Sequence, residues 1–226
     1  MKAFGFIITA ALSGIIPATV HTQSADVRTI DNKAFKRGDE LNYRIHYGII
    51  DAGTANIKVL NENKVIGGRN SYHVLGTGSS TGAFNFFFKV RDKYESFIDE
   101  KSMCALVFTR NVDEGGFKFT QDQVYDQEYH KVNSNGKEYT IPSYVQDMLS
   151  SFYFARTFDY ANEKPGKIDS VTTFVDNEVW TLRIKFIKRD TLDSDIGKIR
   201  CLVFEPMVQK GRIFKHDDDL QVWISD

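Results

Sequence analysis

Residues 81–98 read TGAFNFFFKVRDKYESFI, and whether they run as strand or as helix decides the fold. From Phe84 onward, one parity holds Phe84, Phe86, Phe88, Val90, Asp92, Tyr94, Ser96 and Ile98, and the other holds Asn85, Phe87, Lys89, Arg91, Lys93, Glu95 and Phe97. Rings on one face and charge on the other, at period two, mark a half-buried strand. Phe87 falls on the charged side and is expected to pack on a neighbouring loop. A short helix over 82–90 would instead group Phe84, Phe87, Phe88 and Arg91, and stays open for the first half. The second half alternates too cleanly for a helix. A strand through the whole stretch would exceed the usual ~3–10 residues, so it must bend or begin as a loop near Gly82.

The same alternation extends in both directions. DELNYRIHYGI (39–49) puts Leu41, Tyr43, Ile45 and Tyr47 on one parity, with a turn at IIDAG, a return strand TANIKVLNEN, a turn at VIGGRN and a third strand SYHVLGTGSS. Downstream, SMCALVFTRNV, GFKFTQDQVYD, EYHKVN and KEYTIP read as strands, the last two joined by NSNG, where Asn135-Gly136 is a strong hairpin signal. After EKPGK come SVTTFVD, EVWTLRIKFIKRD, KIRCLVFEPMV, GRIFK and LQVWIS, with a tight turn at Asp176-Asn177. One segment departs from this pattern: in TIPSYVQDMLSSFYFARTF, residues Ile141, Tyr144, Val145, Met148, Leu149, Phe152 and Ala155 have helical spacing. A helix over 142–157 is expected, capped by Thr140 or Ser143 with Pro142 in its first turn. Asp147 and Arg156 are too far apart for one i,i+4 pair; each either tethers this helix to the sheet or is surface charge. CALVFTRNVDEGGFKF (104–119) also echoes CLVFEPMVQKGRIFK (201–215), as two similar hairpins or as chance likeness between amphipathic segments.

The totals bound what such a chain can be. At 226 residues, 42% hydrophobic and 26% charged, it is globular, with room for one large domain or two small ones. Its 18 Phe and 10 Tyr favour β structure, and a net charge of −1 weighs against a nucleic-acid binder. MKAFGFIITAALSGIIPATVHTQSAD opens with Lys2, an uncharged apolar run to about Val20 and a small polar region, the order of a secretory signal peptide. Residues 1–22 are expected to be that signal, cleaved after Thr22 or Ala25, with a retained anchor as the alternative. Residues 23–226 are expected to form a single β-rich domain. No cysteine follows the apolar run, so a lipoprotein is not expected. Cys104 and Cys201 either pair, as an oxidising compartment would permit, or stay as buried thiols.

No chemical motif stands out. HDDD (216–219) reads as a solvated turn; His46, His73 and His130 lack zinc spacing, and no metal or cofactor is expected. GTGSSTG (76–82) lacks the ending of a phosphate loop, and there is no GxSxG elbow. Asp92, Glu95, Asp113 and Glu114 supply carboxylates, but nothing in their spacing selects a pair for sugar hydrolysis. Trp180 and Trp223 lie in strands, where core packing is commoner than sugar stacking.

Three stretches carry a resemblance: FKRGDELNYRIHYGIIDAGTANIKV, DMLSSFYFARTF and DDLQVWISD. Together they resemble domain-of-unknown-function family 3108, exported bacterial proteins of Bacteroidetes type, over roughly 35 to 226. The resemblance implies an antiparallel sheet curled around a helix, similar to the half-barrel of periplasmic lipoprotein carriers. It transfers no activity and no functional residue. It also implies one or two further strands beyond WISD, so C-terminal truncation is expected.

The expected fold is therefore mainly β: a curled antiparallel sheet, half-barrel or open barrel, with one principal α-helix. The expected function is non-enzymatic. A periplasmic or cell-envelope protein would hold a lipid, lipidated protein or glycan on the concave face, lined by Tyr43, Tyr47, Phe84, Phe86, Phe88, Phe152 and Trp180, with helix 142–157 as plug or lid. Membrane proximity fits this reading. The alternatives are an envelope interaction module with a filled core and a cell-wall or sugar hydrolase. A cavity of several hundred Å³ would favour the carrier, and a filled interior the module.

Overall fold

A computed structural model describes residues 28–47, 50–82, 84–194, 197–207 and 221–225. The chain is mainly β. Strand β1 (Glu40–Tyr47) pairs antiparallel with β2 (Ile50–Val59), with a register shift between Ile45 and His46. Residues opposite one another across such a ladder share a face, so Leu41, Tyr43 and Ile45 stand beside Ile57, Ala55 and Gly53. A short β3 (Lys64–Ile66), which the sequence pattern places within the turn VIGGRN, turns at Gly67-Gly68 into β4 (Arg69–Ser80).

Helix α1 (Phe84–Phe87), β5 (Arg91–Asp99), β6 (Ala105–Glu114), β7 (Phe117–Asp126), β8 (Lys131–Ser134) and β9 (Lys137–Thr140) follow. The strands form one antiparallel sheet, β1-β2-β4-β5-β6-β7-β8-β9 with β3 on β4, curled as a half-barrel. After α2 (Met148–Ala155) the chain builds a second antiparallel sheet, β10 (Ile168–Val175), β11 (Glu178–Ser194), β12 (Gly197–Met207) and β13 (Val222–Ser225), in that order. Both predicted hairpin turns form: Asn135 and Gly136 have φ of 49° and 85°, and Asp176 and Asn177 have 53° and 65°. Positive φ at both central residues is what a tight twisted hairpin requires.

The Phe-rich stretch is not one long strand. Ser80, ending β4, contacts Asn85 Oδ1 through its hydroxyl at 3.1 Å and accepts the Val90 N–H at 2.9 Å. This staple holds 81–90 in a loop around the single turn of α1, where Phe88 N–H donates to the Phe84 carbonyl at 2.7 Å. Alternation begins only at Arg91, as the short-helix alternative allowed.

Helix α2 is also shorter than expected. The backbone at Gln146 is already committed to the second sheet, donating to the Thr172 carbonyl and accepting from Phe174 N–H at 2.9 and 2.8 Å. A helix therefore cannot start before residue 147. Asp147, rather than Thr140 or Ser143, caps it: its carboxylate accepts from the Leu149 and Ser150 N–H groups, and Ser150 Oγ accepts from Asp147 N–H.

The hollow of the half-barrel is filled. Val59, Val74, Ile98 and Met103 pack with Phe35 and Tyr153 of α2, while Phe108, Tyr125, Val132, Ile141 and Val145 pack with Phe174 of β10. Burying each such side chain is worth about 1.5–3 kcal/mol, so α2 and the β10 end are held as core. A third cluster, Tyr160, Phe186 and Phe204, belongs to the second sheet.

The cysteines do not pair. Both are free and buried. Cys104 precedes β6 of the half-barrel with its Sγ 2.8 Å from Ser102 Oγ, whereas Cys201 lies in β12 of the other sheet with its Sγ toward the Ile199 carbonyl at 3.5 Å. The two thiols are thus engaged in different sheets.

Candidate functional site

The residues expected to line a concave pocket are dispersed. Tyr43 stands on the inner face of β1, 42% exposed. Tyr47 ends β1 with its backbone opposite Ile50, and its side chain lies outside the described residues. Phe84 is half-buried in α1, but Phe86 and Phe87 are 87% and 81% exposed, and Phe88 lies over Gly115. Trp180 is half-buried on β11, where its carbonyl accepts from Thr173 Oγ1. Phe152 borders an apolar cavity. The rings are separated because α1 carries its phenylalanines out at one end of the sheet, while α2 occupies the hollow.

That cavity, of about 150 Å³, lies between α2 and the second sheet. Phe152 and Ala155 of α2 face Leu182 and Ile184 of β11, Phe204 and Pro206 of β12, and Val222 and Ile224 of β13. Register explains the match. Ile184 pairs with Pro206, Phe204 with Val222 and Leu202 with Ile224, so three strands present apolar groups on one face. Tyr160 closes one end, its ring 4.8 Å from that of Phe204. A cavity of this size holds roughly one benzene ring when dry and apolar. It suits a ring or one chain end, and is too small for the body of a two-chain lipid.

Three polar side chains border it. Ser151 donates its hydroxyl to the Met148 carbonyl at 2.8 Å. Tyr160 donates to Asp169 at 2.7 Å, and burial, then that acceptor, pushes its phenol well above the usual value. Arg156 differs. Its Nη2 donates to the Ala34 carbonyl at 3.1 Å, and its buried Nη1 has the equally buried Tyr153 hydroxyl as a hydrogen-bonding neighbour. The arginines found in ion pairs among the described residues are Arg37, Arg69 and Arg110. The Arg156 guanidinium instead sits among the rings of Tyr153, Phe35 and Phe152, at 5.2, 5.7 and 5.9 Å. Burial pushes the Tyr153 phenol up to about 12 and raises that of Tyr43, and in both Arg156 acts against the rise. Its charge therefore reaches from the cavity to the inner face of β1.

Other polar groups are arranged elsewhere. His73 is held between Glu62 and Glu95, at 2.5 Å from Nδ1 and 3.1 Å from Nε2, and stacks on Phe97. Glu114 has its carboxyl raised first by burial and then by Asp92, to which it is hydrogen-bonded. Among the described residues no group of three or more His, Cys, Asp or Glu side chains could hold a metal, and no helix is long and apolar enough to cross a membrane. HDDD, GRIFK and residues 1–22 lie outside the described residues.

Sequence reasoning found the three strands of the second sheet that border the cavity and named Trp180 on β11, but missed Arg156, Leu182, Ile184, Phe204, Pro206, Val222 and Ile224 as site residues. The available signal was the shared parity of Leu182, Ile184 and Phe186 with Trp180, and of Leu202, Phe204 and Pro206. The family model described as Protein of unknown function (DUF3108) matches residues 42–226. No curated protein and no solved structure matches the chain.

Proposed function

This chain belongs to the DUF3108 family, and from that premise we propose that it is a non-enzymatic protein of the cell envelope that holds the apolar part of a lipid-like ligand in the cleft between α2 and β11–β13. The observation that carries this reading is the cleft itself: eight apolar side chains from four elements surround about 150 Å³ that the described residues do not fill. Unfilled apolar volume costs stability, on the order of 24 cal/mol per Å³, so a side chain one size larger would be favoured if packing were the only demand. The leader-like residues 1–22 support an exported setting. The hollow of the half-barrel serves as scaffold, and α2 is the wall between that scaffold and the ligand.

The test is an uncharged naphthylamine dye that fluoresces in apolar surroundings, titrated against the protein and against Ala155→Phe, which places a ring in the cleft. The dye is expected to bind the parent protein and to bind the filled variant at least about tenfold more weakly, with both circular dichroism spectra alike. Absence of dye binding, or equal binding to both proteins, would overturn the proposal.

One observation favours a second reading, the interaction module. Phe86 and Phe87 stand almost fully exposed on α1, with Phe117 63% exposed on the β7 side of the turn that Phe88 covers. Clustered exposed rings mark contact surfaces. Under that reading Phe86→Ser with Phe87→Ser abolishes crosslinking to envelope proteins, while Ala155→Phe has no effect on it.

A further inference from the structure

We infer that the tip formed by α1 and the β6–β7 turn docks the protein on the surface of an anionic lipid bilayer, with the Phe86 and Phe87 rings entering the apolar layer. This does not depend on the cleft beside α2. Three observations meet at this end of the half-barrel. The first is ring exposure. Phe86 and Phe87 are 87% and 81% exposed and stand edge to face at 5.5 Å, and Phe117 beside the adjacent turn is 63% exposed. Rings grouped in water at adjacent turns are unfavourable unless a partner covers them. The second is that the tip is built as one unit. Phe88 covers Gly115, the Gly115 N–H donates to the Lys89 carbonyl at 2.8 Å, and Val90 bridges to Glu114. Around α1, Asn85 N–H donates to the Thr81 carbonyl and Phe88 N–H to the Phe84 carbonyl. These internal bonds reduce the number of backbone groups that lipid would strip of water.

The third is charge, and it favours lipid over a protein partner. Lys89 and Arg91 follow the rings directly in the chain, and both are exposed. The lysines of β5 and β7, Lys93 and Lys118, are paired with Glu95 and Asp113 at 2.8 and 3.3 Å; neither pair involves Lys89 or Arg91. Arg91 donates through Nη1 to the Ser80 and Val90 carbonyls, neutral acceptors that fix the guanidinium beside the tip and leave its positive charge in place. The nearby carboxyls are engaged within the β5–β6 ladder: Asp92 accepts the Asp113 N–H at 3.0 Å and is hydrogen-bonded to Glu114. Apolar rings at the apex with long basic side chains just behind them match the layering of a bilayer surface. The rings reach the acyl boundary while the cations meet phosphates at headgroup depth. A bilayer also accepts a convex tip without the shaped groove that a protein partner would have to supply.

The experiment uses Phe87→Trp as a reporter, titrated with vesicles of brominated phosphatidylcholine, with or without phosphatidylglycerol as the minor component. Its fluorescence is read against the parent protein, whose Trp180 and Trp223 supply the background. Quenching by bromine locates the tip itself in the lipid, even where another part of the chain also touches the vesicle. The indole placed by Phe87→Trp is expected to be quenched on the acidic vesicles. Adding Phe86→Ser should raise the half-saturating lipid concentration about tenfold. Adding Lys89→Gln should raise it about fivefold on acidic vesicles and leave it unchanged on neutral ones. The substituted side chains are exposed, so circular dichroism should be alike for all the proteins. No quenching on the acidic vesicles, or quenching indifferent to Phe86→Ser, overturns the docking. Equal affinity for acidic and neutral vesicles overturns the anionic surface. Absent quenching combined with loss of crosslinking to envelope proteins in Phe86→Ser with Phe87→Ser overturns the inference in favour of a protein partner.

Discussion

Replacing Asp147 with asparagine is expected to stabilise the protein at neutral pH and to remove one component of its pH dependence. Asp147 is fully buried at the start of α2. Its carboxylate accepts from Leu149 N–H, Ser150 N–H and Ser96 Oγ at 2.7, 2.8 and 2.6 Å. Those three donors favour the ion, yet burial outweighs them and raises the carboxyl from 3.8 to about 6. A rise of about two pKa units corresponds to about 3 kcal/mol. The folded carboxyl thus binds its proton more tightly than the unfolded one. Its contribution is fully present below about pH 4, and is lost as pH rises through about 6. Asparagine keeps an oxygen for the two backbone donors and can donate to Ser96, without the buried charge. Urea unfolding of both proteins from about pH 4 to pH 8 checks this. The variant should be more stable by about 2–3 kcal/mol at pH 7.5, and the gap should close toward pH 4. A gap that stays constant across that range would refute the reasoning, because it would mean the carboxylate is already ionised throughout and its hydrogen bonds offset burial.

Two further outcomes follow from packing. A Cβ on Gly53 would lie 2.7 Å from the Ser79 carbonyl oxygen, an atom fixed in the β2–β4 ladder; Gly53→Ala should therefore cost about 2 kcal/mol or more, read as a lowered urea midpoint, and an unchanged midpoint would show that the ladder yields. Cys104 and Cys201 are free and buried, with burial raising the Cys104 thiol, so a thiol reagent should label neither in the native protein and both after urea without reductant. Labelling of neither after urea would contradict the separation of the two cysteines.

Much of the architecture is legible in the sequence because parity and turn chemistry are local. Leu41, Tyr43 and Ile45 do share a face, and Asn135-Gly136 and Asp176-Asn177 do turn hairpins. The failures have a common cause in distant partners. Phe84, Phe86 and Phe88 alternate as a strand would, but Ser80 draws Asn85 and Val90 into a loop before pairing can begin. Residues 142–147 have helical spacing, but Thr172 and Phe174 take the Gln146 backbone. The strands of the second sheet read like those of the first, since a strand's alternation records that one face is buried and not against which sheet. Arg156 was visible only as a tether or a surface charge. Its Nη2 donates to Ala34, in the lead before β1 rather than in the sheet, and its place at the border of the cleft is a property of the folded arrangement alone.

The central claim, that the cleft beside α2 holds the apolar part of a lipid-like ligand, is tested most directly by mass spectrometry of organic extracts from the protein purified out of its native envelope, alongside Ala155→Phe prepared identically. A lipid-like compound in near-stoichiometric amount from the parent, and its loss from the filled variant, is the expected result. An extract free of any such compound, or the same compound recovered equally from both proteins, would contradict the claim.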